Sequence, residues 1–121
     1  MDSIMKKVFI AISILLLSSG SKLAAQTITD SNDAYREFVQ LANKDEDKSQ
    51  MYDALYRCYT ATYAIITHSE KTSAEYSQAM ANMKNIIAFL PNAAAYNSNN
   101  QSTGNAIKFA RAYVDVVGLS D

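Results

Sequence analysis

Thr72-Ser73-Ala74-Glu75-Tyr76-Ser77-Gln78-Ala79-Met80-Ala81-Asn82-Met83-Lys84-Asn85-Ile86-Ile87-Ala88-Phe89-Leu90-Pro91 is the stretch on which the fold turns. Tyr76, Ala79, Met80, Met83, Ile86, Ile87 and Leu90 recur at steps of three and four, which lines them up on one face of an α-helix. Ahead of them, Thr72-x-x-Glu75 has the form of a capping box, with the threonine hydroxyl accepting the glutamate N–H while the glutamate reaches back. Pro91 has no N–H and its ring collides with the preceding turn. The spacing therefore predicts a helix over residues 73–90, with Met83 in the core and Pro91 as the stop.

The same period runs outward in both directions. Tyr52, Leu55, Tyr56, Tyr59, Tyr63 and Ile66 share a stripe and predict a helix over 48–67. The four tyrosines have two readings. Either their rings pack a core with the hydroxyls at its rim, or they present an aromatic face to a peptide or glycan; the first is favoured because rings supply most of a small core's area. Asp30-Ser31-Asn32-Asp33 is a cluster of capping residues before Ala34, Tyr35, Phe38, Leu41 and Ala42, which predicts a helix over 33–43. Residues 43–48 read as a solvated charged loop, without the alternating acids and glycine of a calcium loop. Ala93-Ala94-Ala95-Tyr96 predicts a short helix over 92–97. After the polar run 97–102, Ala106, Ile107, Ala110, Tyr113, Val114 and Val117 predict a last helix over 103–117, with Ser102 or Thr103 as cap and Gly118 at its stop. The fold class is all-α, built of antiparallel helix hairpins joined by short loops.

The beginning of the chain reads as an address. Met5-Lys6-Lys7 precedes an apolar run over 8–17, then a short polar stretch and Leu23-Ala24-Ala25-Gln26. A basic start, a short apolar run and small residues at the end define a secretory signal peptide. The run is about half the length a membrane span requires, and no cysteine follows it that could take a lipid. We read residues 1–25 as the signal peptide and 26–121 as one helical domain, exported to the periplasm or secreted, with no stable membrane span once the leader is removed.

Composition removes several function classes. The chain has 121 residues, 11 Lys+Arg against 12 Asp+Glu and a net charge of −1, so no basic surplus exists to neutralise the phosphates of a nucleic acid. A single cysteine excludes an intrachain disulfide and a multi-cysteine zinc site, and three glycines with one proline are too few for the turns of an all-β domain. His68 lacks a second nitrogen ligand at metal-binding spacing and reads as a helix C-terminal residue whose positive form suits the dipole. Cys58 reads as a small buried residue; it lies ten positions from His68, about 15 Å along one helix, so the two cannot form a nucleophile–base pair. No catalytic residue, cofactor or metal site is expected.

Leu90-Pro91-Asn92-Ala93-Ala94-Ala95-Tyr96 followed by Asn105-Ala106-Ile107-Lys108-Phe109-Ala110-Arg111-Ala112-Tyr113 resembles a divergent tetratricopeptide repeat. Ala95 and Tyr96 match the small residue and tyrosine of such a repeat's first helix. Ala106, Ala110 and Tyr113 match the second helix, and Ala54, Cys58 and Ala61 echo it. The signature tryptophan and the Leu-Gly pair are absent, and the Asn/Ser loop is longer than the repeat's. The chain is also similar to the helical N-terminal portions of exported bacterial envelope proteins. The resemblance implies a right-handed helical-repeat stack or small bundle, used for scaffolding and partner binding.

Three functions are consistent with this reading: a non-catalytic exported scaffold for a protein or peptide partner; the N-terminal helical piece of a longer exported enzyme or surface protein; and a small secreted inhibitor or carrier. Repeat stacks need about three units and this chain carries about two, so the last helix is expected to leave an apolar edge open. Ile107, Ala110 and Val114 are expected to pack on the short helix around Ala94, leaving Phe109, Ala112 and Val116 to face outward. There they would meet a partner, further repeats of the same protein, or a second copy in self-association. The leader reading makes one prediction: the mature protein begins near Gln26 and is found outside the cytoplasm. Intact-mass measurement of the exported chain decides it, and residues 5–25 still attached would overturn it.

Overall fold

The computed structural model describes residues 27–44 and 47–119, which fold into five helices with no strand among the described residues. The signal-peptide reading lies outside them. The helices are α1 (Ile28–Lys44), α2 (Lys48–His68), α3 (Ala74–Ile86), α4 (Phe89–Asn99) and α5 (Thr103–Gly118). Two of the expected helices, 48–67 and 103–117, match to within one residue at either end, and the other three shift for identifiable reasons.

α1 starts five residues earlier than residue 33. Thr27 and Asp30 form a reciprocal capping box: the Asp30 N–H donates to Thr27 Oγ1 at 3.2 Å and the Thr27 N–H donates to Asp30 Oδ2 at 2.9 Å. Asp30 is therefore the residue that reaches back to the cap, and Ser31 lies buried inside the first turn.

The long helix expected over 73–90 is two helices. Pro91 breaks the chain, but the break falls four residues before it rather than at it. With no N–H at position 91, the carbonyl of Ile87 has no i+4 donor, and the proline ring crowds that carbonyl. Ile87 O accepts from the Leu90 N–H instead, at 3.2 Å. Ile87 and Ala88 keep right-handed helical angles, so the chain bends between α3 and α4 rather than reversing. Pro91 itself occupies the first turn of α4, where a missing N–H costs nothing. α4 accordingly runs over Phe89–Asn99 rather than 92–97.

α4 closes with a Schellman motif, in which the Ser102 N–H donates to Asn97 O at 2.8 Å and the Gln101 N–H to Ser98 O at 3.1 Å. Gln101 takes the left-handed position that glycine usually fills, at φ 65°. The same turn occupies Ser102: it stands at the N-cap of α5, yet its hydroxyl makes no capping bond.

α2 lies at the centre. It packs against α1 and α3 on one side and α5 on another, α1 also touches α3, and α4 pairs with α5. Leu55, Cys58 and Ala54 on α2 are fully buried with Ala79, Met83 and Ile86 of α3 and Leu90 and Ala93 of α4. Phe38 of α1 meets Phe89 at the head of α4 edge-on, with centroids 5.1 Å apart, and Tyr52 meets Tyr96 at 5.2 Å. These aromatic pairs tie the α4–α5 hairpin to the first two helices.

Between α1, α2 and α3 the apolar core also holds a polar cluster. Ser31 Oγ and Thr62 Oγ1 lie 2.6 Å apart. Asn82 Nδ2 donates to Ser31 Oγ at 2.9 Å and to Asn32 Oδ1 at 2.8 Å, while its Oδ1 accepts from Gln78 at 3.2 Å. Every polar atom of the buried amide is thus paired, which removes the desolvation penalty that an isolated asparagine would carry.

At the head of α3 the capping residue is Ser73, whose hydroxyl accepts the Tyr76 N–H at 3.1 Å and donates to Glu70 O at 2.7 Å. Thr72 is exposed and makes no capping bond among the described residues. Ser73→Ala is therefore expected to cost about 0.5–2 kcal/mol and Thr72→Ala less than about 0.5 kcal/mol. Chemical denaturation of the two variants checks the order, and equal losses would place the cap wrongly.

Candidate functional site

The three residues expected to face a partner face the core instead. Phe109, Ala112 and Val116 are 3%, 2% and 5% exposed. The Phe109 ring stands edge-on to Tyr56, with centroids 5.5 Å apart and planes at 84°, and lies 6.2 Å from Tyr52. The reason is size. α5 carries two apolar stripes, and the one with the phenylalanine removes more apolar area from water when it is pressed on the tyrosines of α2. The pairing of Ile107, Ala110 and Val114 with the helix around Ala94 is corrected with it: Ile107 is 50% and Val114 66% exposed, and Ala110 is exposed too.

The tyrosines of α2 divide along the row. Tyr52 and Tyr59 are buried, and Tyr56 and Tyr63 are half-buried against the core. Tyr56, Tyr59 and Tyr63 follow one another with centroids 5.5 Å apart at each step. Lys108 of α5 lays its ammonium 4.2 Å above the Tyr56 ring, a cation–π contact that closes the rim between the helices. The Tyr59 hydroxyl donates to Asp115 Oδ2 at 3.4 Å, a long bond. Burial, followed by the nearby Asp115 carboxylate, pushes the Tyr59 phenol well above its ordinary value, and burial, followed by Tyr96, raises that of Tyr52. A shallow groove of about 310 Å³ runs between α2 and α5, lined by Tyr56, Tyr59, Ile107, Lys108, Arg111 and Asp115.

The other face of α5 is turned to solvent along much of its length. Ile107, Ala110, Val114 and Val117 succeed one another along it, with Val117 44% exposed, and Tyr113 is at their side. A second depression of about 310 Å³ lies here, among Ile107, Ala110, Arg111, Val114 and Asp115. This face is the candidate site. All its residues were visible in the sequence; the signal that would have chosen the right stripe was the bulk of Phe109 opposite a row of tyrosines.

The residues weighed for chemistry lie apart. Cys58 is fully buried, 3.8 Å from Ser31 O and from Thr62 Oγ1, and burial pushes its thiol up. His68 sits exposed at the end of α2, with Nδ1 2.9 Å from Ala64 O. α2 runs unbroken between them. Among the described residues no three His, Cys, Asp or Glu side chains lie together as a metal site would need, and no helix is long and apolar enough to cross a membrane. Compared with known proteins, the chain matches no family model, no curated sequence and no solved structure.

The raised Tyr59 carries a pH consequence. A phenol whose folded value lies above its unfolded one, 10.0, contributes stability that is fully present below pH 10.0 and is lost as the pH rises above it. The melting temperature is expected to fall above that point, and Tyr59→Phe to flatten the fall while Tyr52 sustains part of it. Melting curves at stepped alkaline pH check this; an identical slope in the variant would show that Tyr59 carries none of it.

Proposed function

We propose that this chain is an exported, non-catalytic helical scaffold that binds a protein or peptide partner through the outer face of α5. The observation that carries the reading is the strip Ile107, Ala110, Val114 and Val117, apolar along its length and exposed at every position. Contiguous apolar surface of this kind costs solubility unless something covers it. Export rests on the leader pattern of residues 1–25, and the absence of catalysis on the separation of Cys58 from His68. If the chain continues in a longer exported protein, later helices would occupy the same strip.

A tetratricopeptide-like arrangement belongs to this proposal. In its support, α1 and α2 pair as a hairpin and α3 lies against both, as the first helix of a second unit would. Against a regular repeat, α3 and α4 are joined by a bend and α4 pairs with α5.

A photo-crosslinking residue in place of Val114, compared with one in place of the exposed Lys84 of α3, tests the proposal on chain exported from cells. Position 114 is expected to give a discrete adduct and position 84 none. No adduct from position 114, or the same adducts from both, would overturn it.

A further inference from the structure

A second concavity lies where the end of α4 meets the first turns of α2 and α5, and none of Ile107, Ala110, Val114 and Val117 lines it. Its volume is about 140 Å³, close to the roughly 150 Å³ of an engineered cavity that takes benzene. One six-membered ring is the size it admits. Tyr52, Asn97 and Phe109 form its buried wall, with Tyr96 and Ser102 half-buried beside them. The turn that closes α4 fixes this wall, since the Asn97 carbonyl accepts the Ser102 N–H at 2.8 Å.

Two of these side chains carry polar atoms that the fold leaves unpaired. Tyr52 is 9% exposed, and its hydroxyl makes no hydrogen bond with a described residue. Burial and the neighbouring Tyr96 raise its phenol, so it stays protonated and able to donate. Asn97 is 8% exposed; its Nδ2 donates to Ala93 O at 2.8 Å, and no described residue donates to its Oδ1. Ser102 adds a third group, a hydroxyl that makes no capping bond. Buried polar groups in native proteins are almost always hydrogen-bonded, and one left without a partner costs stability. A cleft that gathers two of them is shaped to have them completed from outside.

The chemistry of the wall selects the ligand. No charged side chain is buried in it. Asp53 and Lys108 are exposed at the rim, one of each sign, and the Lys108 ammonium lies over the ring of Tyr56, which does not line the cleft. An ion seated at the wall would meet no buried counter-charge, which is costly. Asn97 Oδ1 can only accept, whereas the Tyr52 and Ser102 hydroxyls give or accept. The rings of Tyr52, Tyr96 and Phe109 supply apolar surface beside them. A neutral saturated ring with an apolar C–H face and several hydroxyls meets each of these demands.

We infer that the cleft between α2, α4 and α5 binds a neutral sugar, with one pyranose ring against Tyr52, Tyr96 and Phe109 and its hydroxyls bonded to Tyr52, Asn97 and Ser102. A hexose is larger than benzene, so its outer hydroxyls lie at the mouth among the exposed Ser49, Asn100 and Asn105. A site for a single ring holds a monosaccharide weakly, in the millimolar range.

Titration of the exported chain with glucose, galactose, mannose and N-acetylglucosamine, followed by backbone amide NMR, decides it. At least one sugar is expected to saturate, with shifts confined to residues 49–53 and 96–109. Tyr52→Phe removes one hydroxyl and keeps the ring, and is expected to weaken that sugar about two- to tenfold. In the sugar-free chain the same substitution is expected to hold or raise the melting temperature, because the hydroxyl has no partner in the fold to lose. Saturation by none of the four sugars, shifts centred elsewhere, or undiminished binding to the variant would each overturn the sugar site. So would a melting temperature lowered by Tyr52→Phe, which would mean that the fold itself uses the hydroxyl. Glycine, choline and inorganic phosphate are expected to leave these amides unmoved, and saturation by one of them in place of the sugars would overturn it as well. The crosslinking result at position 114 bears on the opposite side of α5 and is unaffected by any of these outcomes.

Discussion

α2 carries buried side chains around about half of its circumference, from Met51 and Tyr52 through Leu55, Cys58 and Tyr59 to Thr62, Ile65 and Ile66. A helix that is apolar on so many sides cannot be satisfied by one neighbour, and the remaining elements are arranged to wrap it. α1 covers the side of Cys58 and Thr62, α3 lies beside both, and α5 presses Phe109 onto Tyr52 and Tyr56. The bend at Ile87–Ala88 belongs to the same requirement. Beyond the break set by Pro91, Phe89 reaches Phe38 and Tyr96 reaches Tyr52.

Polar side chains settle the order of that wrapping. Hydrophobic contacts between three helices tolerate sliding, since one aliphatic surface resembles the next. The Ser31, Thr62 and Asn82 cluster does not, because a shift of one turn would leave a buried amide and two hydroxyls without partners. Such clusters specify an arrangement more than they strengthen it. The outer surface of the hairpin is held by weaker means, a lysine over a tyrosine ring and one long hydroxyl–carboxylate bond.

The sequence shows the helical class, the existence of every helix and the extent of α2 and α5, because each depends on a local period that needs no knowledge of neighbours. It shows the agent of the α3–α4 break but not the place, since a proline acts on the carbonyl four residues before it. At α1 a cluster of four capping residues outshone the single box that starts the helix, Thr27 with Asp30. The candidate site was misread by half a turn. Two apolar stripes on α5 carry similar periodicity, and which one turns inward depends on the tyrosines of another helix. Asn82 and Ser31 are polar residues on apolar faces, and only three helices brought together give them partners.

Cys58 acquires a particular meaning from where α1 lies. The lone thiol is sealed beneath Ser31, contacted by its carbonyl, and held protonated by its surroundings. Thiolate is the form that attacks disulfides and oxidants, and burial keeps this thiol from both while the fold is intact. The protection is conformational rather than chemical. It lasts while α1 stays docked, and the rate at which a thiol reagent reaches Cys58 would therefore count the openings of the first helix from the second.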